Sequence, residues 1–596
     1  MTYNPNIMHG FVFLLLAGSA AAQVKFPAPY PPTNDVHLEN LVAIPMRDGV
    51  NLYADVYRPL GQGRYPVIVS RTPYSTERYP SAYTAAVFFS QRGYAFVYQD
   101  VRGRHESDGK WEPFRNDIED GYDTVEWAAK QPWSNGKVCM EGGSYLGHVQ
   151  WRAAMAKPPH LVCIVPQVAS TSLYHNWITL NGAWRLSFNF GWGPVRQESR
   201  IMQNTGPHTM AGGPPNLSYD HLLWHLPLNN MQELAGRHAK FYDDWIRHPD
   251  YDDYWKKINA EEVFDQINVP VYTMGGWFDI FSQGTLHGYV GMATRGKTEQ
   301  ARKGSRMLIG PWGHGSSQKY GDLDFGVGAH VDESAAALRF FDYWLKGKDD
   351  GIGSEPPVTL YVMGKNIWRR ENEYPLARTQ YRKLYFHSGG AANTGNGDGR
   401  LSWNAPAGES KPDTYRYDPM NPVPSTGGNN CCGTPTAAGP IDQRRIEGRG
   451  DILVYTSEYL DRDIEVTGPV KVVLYASSDC VDTDFVAKLI DVYPDGRSLP
   501  MAEGIVRARY RESPAAPKLL EPGKTYEFQI DMVGTSNAFL KGHRIRVDIT
   551  SSHFPQFDRN PNTGEPFGTT SNTKVATQKI HHTAAHPSHI VLPVIP

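Results

Sequence analysis

At 596 residues the chain exceeds the size of one ordinary domain, so two or three domains are expected. Its hydrophobic share of 40% and its charged share of 20% are typical of a globular protein and exclude a disordered chain. The net charge of -3, without any basic run, gives no reason to expect a nucleic acid or an anionic membrane surface as partner.

Residues 1–22 have the pattern of a secretory signal peptide. A short apolar core at 11–17 is followed by small residues that end at 20–22. The usual basic residue before the core is missing, because the first ten residues contain neither Lys nor Arg. The core is too short for a lasting membrane span, and no later segment reaches the required length. The sequence therefore predicts a secreted or periplasmic protein without a membrane span.

Residues 23–168 predict strands that alternate with helices. Alternating apolar residues around an Asp-Gly turn predict an opening hairpin at 37–58. Buried strands are predicted at 66–70, 94–99 and 161–168, and helices at 81–93 and 117–131. This order is typical of a parallel sheet covered by helices, which is an α/β fold.

A strand that turns sharply into a helix is predicted at 138–151. Gly142 and Gly143 precede Ser144, and Gly147 follows it in a G-x-S-Y-x-G spacing. Such a turn would hold the Ser144 hydroxyl at the tip of a central strand, as a nucleophile elbow does. A Gly-Gly-Ser turn is more often structural than catalytic, so the chain must also supply a base and an acid.

The pattern changes at 169–265, where Trp, His, Asn and Pro replace the strand signals and a helix is predicted at 238–246. We interpret this stretch as a helical cap inserted into the α/β unit. Strands at 269–274 and 306–309 and a helix at 333–344 predict the second part of that unit at 266–354. Short alternating segments, such as 359–363 and 471–475, predict an all-β jelly-roll sandwich at 355–596.

Asp279 and His314 each follow one of the later predicted strands, and they follow Ser144 in the chain order of α/β-hydrolases. The carboxyl ends of parallel strands meet at one edge of a sheet, so we expect the three side chains to lie close together. A catalytic serine needs an imidazole to take its proton and a carboxylate to orient that imidazole. The sequence predicts a triad, although turn-forming roles for Asp279 and His314 stay open.

No spacing typical of a metal site, a dinucleotide fold or a phosphate-binding loop is found, so neither a metal nor a cofactor is predicted. Cys139 and Cys163 lie in apolar runs and are predicted to be packed thiols. Cys431 and Cys432 are adjacent in a Gly/Asn-rich loop, and one of them could bridge elsewhere. The pairing of Cys431, Cys432 and Cys480 stays open.

These motifs resemble those of the bacterial cocaine-esterase-like serine hydrolases, in the superfamily of X-Pro dipeptidyl peptidases and α-amino-acid ester hydrolases. The resembling segments are Pro45-Met-Arg-Asp-Gly49, Asp100-Val-Arg-Gly103, Ser144-Tyr-Leu-Gly147, Gly276-Trp-Phe-Asp279, Gly310-Pro-Trp-Gly-His314 and Tyr417-Asp-Pro-Met-Asn-Pro422. The resemblance spans essentially the whole mature chain. It implies an α/β-hydrolase core with a helical cap, a C-terminal jelly roll and no cofactor.

The resemblance also implies roles for residues around the triad. The backbone N–H of Tyr145 and the Tyr74 hydroxyl would form the oxyanion hole. Trp177, Trp192 and Phe281 would line the acyl pocket, although aromatic residues in helical segments are usually core. Amino-ester hydrolases carry extra carboxylates just after the acid, where this chain has Phe281 and a serine. That departure favours an uncharged or aromatic acyl group.

We therefore predict a secreted serine hydrolase that cleaves small-molecule esters, or amides, through an acyl-enzyme. An X-Pro dipeptidyl peptidase or an acyl-amide hydrolase is the nearest alternative. A different class of protein would be a carbohydrate-binding jelly roll attached to an inert hydrolase domain. The sequence does not identify the natural substrate, and a homo-oligomer stays open.

Overall fold

The computed structural model describes residues 24–76, 80–197, 220–235, 239–432 and 435–596. The predicted signal peptide at 1–22 lies outside the described residues, as do residues 198–219 and 236–238 of the predicted cap. Among the helices of the described part, none has the length and apolar character that crossing a membrane requires.

The strands and helices up to residue 371 belong to an α/β unit with an inserted, mostly helical segment. The strands are β1 Val36–Pro45, β2 Asn51–Pro59, β3 Tyr65–Thr72, β4 Ala95–Asp100, β5 Ser134–Gly143, β6 Leu161–Gln167, β7 Thr179–Leu180, β8 Ala183–Trp184, β9 Tyr272–Gly276, β10 Arg306–Gly310, β11 Lys319–Tyr320, β12 Leu323–Asp324, β13 Val358–Val362 and β14 Ile367–Glu371. The α-helices are α1 Pro80–Ser90, α2 Asp117–Ala129, α3 Tyr145–Ala156, α4 Leu186–Phe190, α5 Met231–Leu234, α6 Lys240–Arg247, α7 Asp253–Lys256, α8 Ser282–Arg295, α9 Glu299–Gly304 and α10 Glu333–Lys346.

One ten-stranded sheet organises this unit, in the order β1-β2-β4-β3-β5-β6-β9-β10-β13-β14. Strands β4, β3, β5, β6, β9 and β10 run parallel, while the hairpin β1–β2 joins β4 antiparallel. The residues of β4 are all buried, as expected for a parallel strand that is covered on both faces. The predicted α/β fold is confirmed, and the loops after β5, β9 and β10 lie at one edge.

Two strands beyond residue 355 complete this first sheet. The sequence placed residues 359–363 in the C-terminal β domain, but β13 pairs in parallel with β10 and antiparallel with β14. The sequence could not indicate this pairing, because the apolar pattern of a strand does not specify which neighbouring strand it pairs with.

The C-terminal region forms an all-β domain around one thirteen-stranded sheet. Its strands are β15 Gln380–His387, β16 Arg400–Ser402, β17 Asp413–Tyr417, β18 Leu453–Thr456, β19 Ile464–Gly468, β20 Lys471–Ser478, β21 Asp484–Val492, β22 Ser498–Arg507, β23 Tyr526–Asp531, β24 Thr535–Phe539, β25 Arg544–Thr550, β26 Ala576–His581 and β27 His589–Ile595. The predicted all-β character of this region is confirmed, whereas its jelly-roll topology stays a prediction.

The prediction that Cys139 and Cys163 are packed thiols is wrong, because they form a disulfide between β5 and β6. These strands are parallel neighbours, and their register pairs the two residues directly. Their Cα atoms are therefore 4.8 Å apart, which is within the range for a disulfide. The bond links the strand that leads to Ser144 with its neighbour.

Replacing Cys163 by alanine should lower the free energy of unfolding by about 3 kcal/mol, because the bond closes a loop with a sequence separation of 24 residues. Denaturant unfolding without reductant measures the change. Cys480→Ala is the matched control, since it removes a buried thiol that belongs to no disulfide. Equal losses in the two variants would contradict a stabilising role for the bond.

Candidate active site

Ser144 occupies a sharp turn between β5, which ends at Gly143, and α3, which begins at Tyr145. Its backbone has φ 59° and ψ -125°, a conformation that a residue with a side chain rarely adopts. A Cβ atom on Gly142 would lie 2.6 Å from the Cβ of Leu146, so the turn requires a glycine there. The geometry is that of a nucleophile elbow.

Gly147, which stands one position later than in the common elbow pattern, lies where α3 crosses the end of β6. A Cβ atom on Gly147 would be 2.5 Å from the Cβ of Ala169 and 2.9 Å from the carbonyl oxygen of Gln167. The Ser144 N–H donates to that same Gln167 carbonyl at 2.9 Å. Close packing of the helix on the next strand therefore explains the displaced glycine.

His314 and Asp279 form a hydrogen-bonded pair on the loops after two adjacent parallel strands, β10 and β9. Nδ1 of His314 donates to Oδ1 of Asp279 at 2.8 Å. The Asp279 side chain is fully buried, while the His314 side chain keeps 12% of its surface exposed. Among the described residues no group bonds to Nε2 of His314, so this nitrogen can accept a proton.

Asn429, a residue that the sequence did not single out, ties the C-terminal domain to the loop of Asp279. Its side-chain amide donates to the carbonyl oxygens of Trp277 and Asp279 and to Oγ of Ser282, each at 3.0 Å. Its own N–H donates to Oε1 of Glu503 at 2.9 Å. The only sequence signal was the Gly/Asn-rich composition of this loop, which does not reveal where the loop docks.

Tyr145 and Tyr74, the predicted oxyanion-hole residues, lie side by side with ring centroids 6.4 Å apart. Tyr145 is the first residue of α3, so its N–H is one of the helix N-terminal donors that lack an intrahelical acceptor. Its hydroxyl donates to Asp117 at 3.0 Å, which fixes the ring. The Tyr74 hydroxyl accepts a hydrogen bond of 3.1 Å from Nε1 of Trp192.

The three predicted pocket residues come together in one aromatic cluster beside the His314 ring. Phe281 stacks on Trp177 with centroids 4.8 Å apart, and its ring meets that of His314 edge-on at 5.6 Å. Trp192 packs edge-on against Trp177 at 4.9 Å and stacks on Tyr145 at 6.2 Å. A wall of aromatic rings therefore extends from the elbow to the histidine.

His148, one turn after Ser144, is the other histidine near the elbow, and it is not placed to act as the base. Burial holds the pKa of His148 well below its usual value, and the positive charge of Arg152 lowers it further. Nε2 of His148 accepts the Ser170 N–H at 3.2 Å, and its ring packs on Trp177 at 4.6 Å. His148 is therefore a neutral packing residue.

The cystine formed by Cys431 and Cys432 lies next to His314, although neither cysteine was expected near the triad. The two cysteines are bonded to each other, so the prediction that one of them could bridge elsewhere is wrong. A ring nitrogen of His314 and the two Sγ atoms all lie within 4.8 Å of one another. Cys480 is buried and belongs to no disulfide.

A cavity of about 350 Å³ lies away from these residues, between residues 26–29 of the N-terminal segment and α10. Its charged lining includes Arg306, Arg339 and Glu355. Arg306 donates to the backbone carbonyl of Glu355, and Arg339 donates to its carboxylate. None of Ser144, Asp279 and His314 lines this cavity. These three charged residues are already paired, so the elbow is the stronger candidate for chemistry.

Two family models match the chain. The model of the X-Pro dipeptidyl-peptidase (S15 family) matches residues 48–316, and that of the X-Pro dipeptidyl-peptidase C-terminal non-catalytic domain matches residues 350–591. The cocaine esterase of Rhodococcus sp. (strain MB1 Bresler) is 38% identical over 576 residues, which cover 93% of this chain and 98% of that relative.

Two solved structures share the fold over the whole chain. An aminopeptidase from the marine sediment archaeon Thaumarchaeota archaeon superposes with a TM-score of 0.81 at 28% identity, covering 97% of this chain and 100% of that one. An α-amino acid ester hydrolase superposes with a TM-score of 0.79 at 28% identity, with the same coverage of both chains. The chain therefore belongs to the cocaine-esterase-like serine carboxylic-ester hydrolases of the X-Pro dipeptidyl-peptidase (S15) family.

Proposed function

We propose that the chain hydrolyses carboxylic esters through a Ser144–His314–Asp279 triad and an acyl-enzyme. The observation that supports this most strongly is the 2.8 Å bond between Nδ1 of His314 and buried Asp279, which leaves Nε2 to act as the base. The elbow conformation of Ser144, on a strand of the same sheet, supplies the matching nucleophile.

In this mechanism Oγ of Ser144 attacks the ester carbonyl while Nε2 of His314 takes its proton. The Asp279 carboxylate stabilises the imidazolium that forms. The Tyr145 N–H and the Tyr74 hydroxyl donate to the oxyanion of the tetrahedral intermediate. His314 then protonates the leaving alcohol, and a water activated by the same nitrogen hydrolyses the acyl-enzyme.

The acyl group that fits best is uncharged or aromatic. Phe281 packs edge-on against His314 and stacks on Trp177, so the surroundings of the base are apolar and aromatic, and the positions just after Asp279 carry no carboxylate to hold an ammonium group. An X-Pro dipeptidyl peptidase would need such a group for the amino terminus of its substrate. The aromatic wall therefore supports an aryl or alkyl acyl ester over an amino-acyl one.

A substrate panel tests this choice. We expect an aryl benzoate to give a higher kcat/KM than alanyl-proline anilide, because an aromatic acyl group suits apolar aromatic surroundings that hold no carboxylate for an ammonium group. An acyl anilide without an amino group separates amide cleavage from recognition of the amino terminus. Faster cleavage of alanyl-proline anilide would instead establish the dipeptidyl-peptidase activity.

Tyr74→Phe should lower kcat for an aryl ester by about 10²- to 10³-fold, because it removes one donor to the developing oxyanion. KM should change little, since the donor acts mainly in the transition state. Steady-state kinetics measure both constants, and near-ultraviolet circular dichroism checks the fold. Turnover at the wild-type rate in a folded variant would remove Tyr74 from the mechanism.

Export stays a proposal that the cysteine usage supports. The two disulfides are of the kind that persist in oxidising compartments such as the periplasm or the medium. Amino-terminal sequencing of protein expressed from the full-length sequence tests the prediction. A mature chain that begins at Gln23 is expected, and uncleaved protein retained inside the cell would contradict it.

A further inference from the structure

A cystine directly beside His314 places two sulfur atoms, which are soft metal ligands, next to the proposed general base. The Sγ atoms of Cys431 and Cys432 and a ring nitrogen of His314 lie within 4.8 Å of one another. Nδ1 of His314 is bonded to Asp279, so Nε2 is the nitrogen that can serve a further ligand. The His314 and Cys432 side chains are partly buried and Cys431 is buried, while Nε2 of His314 is itself covered, so an ion must enter from the side of Cys432 or of the substrate.

The loop that carries the two cysteines is anchored independently of the disulfide. Asn429, two residues before Cys431, bonds to the loop of Asp279 through its side chain and to Glu503 through its N–H. Oε1 of Glu503 also accepts a hydrogen bond of 2.8 Å from Nε2 of Gln556. These bonds fix the chain two residues before Cys431 and do not depend on the sulfur–sulfur bond.

Two thiolates and one imidazole are a ligand set that zinc prefers. With zinc bonds of about 2.3 Å to sulfur and 2.0 Å to nitrogen, tetrahedral geometry puts the ligand atoms roughly 3.5–3.8 Å apart. The sulfur and ring-nitrogen atoms, which lie within 4.8 Å of one another, need to approach by roughly 1 Å, and the two sulfur atoms must separate by roughly 1.5–2 Å once their bond is broken. Asp279 on Nδ1 would supply the carboxylate partner that zinc-bound histidines usually have.

We propose that reduction of the Cys431–Cys432 bond creates a zinc site from the two thiolates and Nε2 of His314, and that zinc there switches off the hydrolase. The inhibition rests on the proposed function, whereas the zinc site itself does not. A bound zinc ion occupies the lone pair with which Nε2 would take the proton of Ser144. Water completes the fourth position, and the triad has no base.

A phosphine or a dithiol supplies the two electrons that break the sulfur–sulfur bond. With tris(2-carboxyethyl)phosphine, phosphorus loses two electrons and takes the oxygen of one water, while the disulfide gains the two electrons and the two protons of that water. Zinc binding then releases one proton from each thiol. Removal of zinc and reoxidation to the disulfide, for example by a disulfide of a small thiol, returns the starting state.

The test uses the full-length chain and zinc alone as probe. After reduction with the phosphine and its removal, the wild type should bind roughly one zinc per chain, and esterase activity should fall by at least about tenfold. A chelator should restore the activity, and unreduced protein should bind no stoichiometric zinc. The double variant Cys431→Ala/Cys432→Ala should lose stoichiometric binding, while Cys480→Ala, which alters a buried cysteine outside any disulfide, should respond like the wild type.

Cobalt in place of zinc reports the ligands without any assay of activity. Reduced wild type should show thiolate-to-cobalt charge-transfer bands together with the visible bands of a tetrahedral site. His314→Ala should change the visible bands while the charge-transfer bands persist. Identical spectra in the two proteins would overturn the role of His314.

Absence of stoichiometric zinc binding by reduced wild type would overturn the site. Unchanged activity in a zinc-loaded protein would overturn the inhibition. The proposed function fails by a different result. If the unreduced, metal-free protein had no esterase activity, that function would be refuted, whereas zinc and cobalt binding by the reduced protein could still be measured.

Discussion

Replacing Ser144 by alanine should lower kcat for an aryl ester by about 10⁴- to 10⁶-fold, because it removes the hydroxyl that we propose forms the acyl-enzyme. Residual turnover should come from the oxyanion donors and from binding alone. KM should stay within a few-fold of the wild-type value, since the hydroxyl contributes little to ground-state binding. Steady-state kinetics with an aryl benzoate measure the loss of kcat, and pre-steady-state kinetics with excess substrate should show no burst of released alcohol.

The same variant should fold normally. Ser144 adopts its strained, positive-φ backbone conformation because Gly142 and Gly147 allow the close packing around it, and alanine can take the same conformation. We expect the thermal midpoint to change little. A variant that keeps more than about a tenth of the wild-type kcat would contradict nucleophilic catalysis by Ser144.

Asp279→Asn should lower kcat by about 10⁴-fold, because an amide can orient His314 in the wrong tautomer and cannot stabilise the imidazolium. The substitution keeps the size of a fully buried side chain whose Oδ1 accepts Nδ1 of His314 at 2.8 Å. Initial rates per folded molecule measure the effect, and circular dichroism gives the folded fraction.

Asp491→Asn is a matched control for this loss. Asp491 lies in the C-terminal domain and is also buried, and its Oδ1 accepts a hydrogen bond of 2.7 Å from Nδ1 of His543. Both substitutions remove a buried carboxylate from a histidine, so both should cost stability. Only Asp279→Asn should lower kcat per folded molecule, and equal losses of kcat would contradict a catalytic role for Asp279.

The sequence located candidate site residues best where each of them directly follows a strand with a clear apolar pattern. Ser144, Asp279 and His314 each follow a strand with a clear apolar pattern, and parallel strands bring their carboxyl ends to a common edge. The structure places Asp279 and His314 in contact, as that pattern indicated. The aromatic residues Trp177, Trp192 and Phe281 came from the resemblance to the family, and they lie in one cluster.

What the sequence could not indicate depends on register and on contacts between distant segments. The Cys139–Cys163 bond follows from the alignment of two parallel strands, which apolar runs alone do not specify. The docking of Asn429 and Cys431 beside His314 joins parts of the chain more than a hundred residues apart. Local propensities carry no signal for such a contact.

The C-terminal domain consequently contributes to the site as well as to the fold. Asn429 fixes the backbone of the Asp279 loop, and the cystine two residues later lies against His314. The proposed catalytic centre, built on strand ends of one sheet, therefore also contacts a loop from the C-terminal domain.

Labelling with a fluorophosphonate followed by peptide mass spectrometry shows whether Ser144 is an activated nucleophile. An activated serine should react, and the phosphonate should be found on the peptide that contains Ser144. The label should disappear in Ser144→Ala, and Asp279→Asn should take it up far more slowly than Asp491→Asn. A wild-type protein that stays unlabelled at Ser144, or that carries the label on another serine, would contradict the proposed triad.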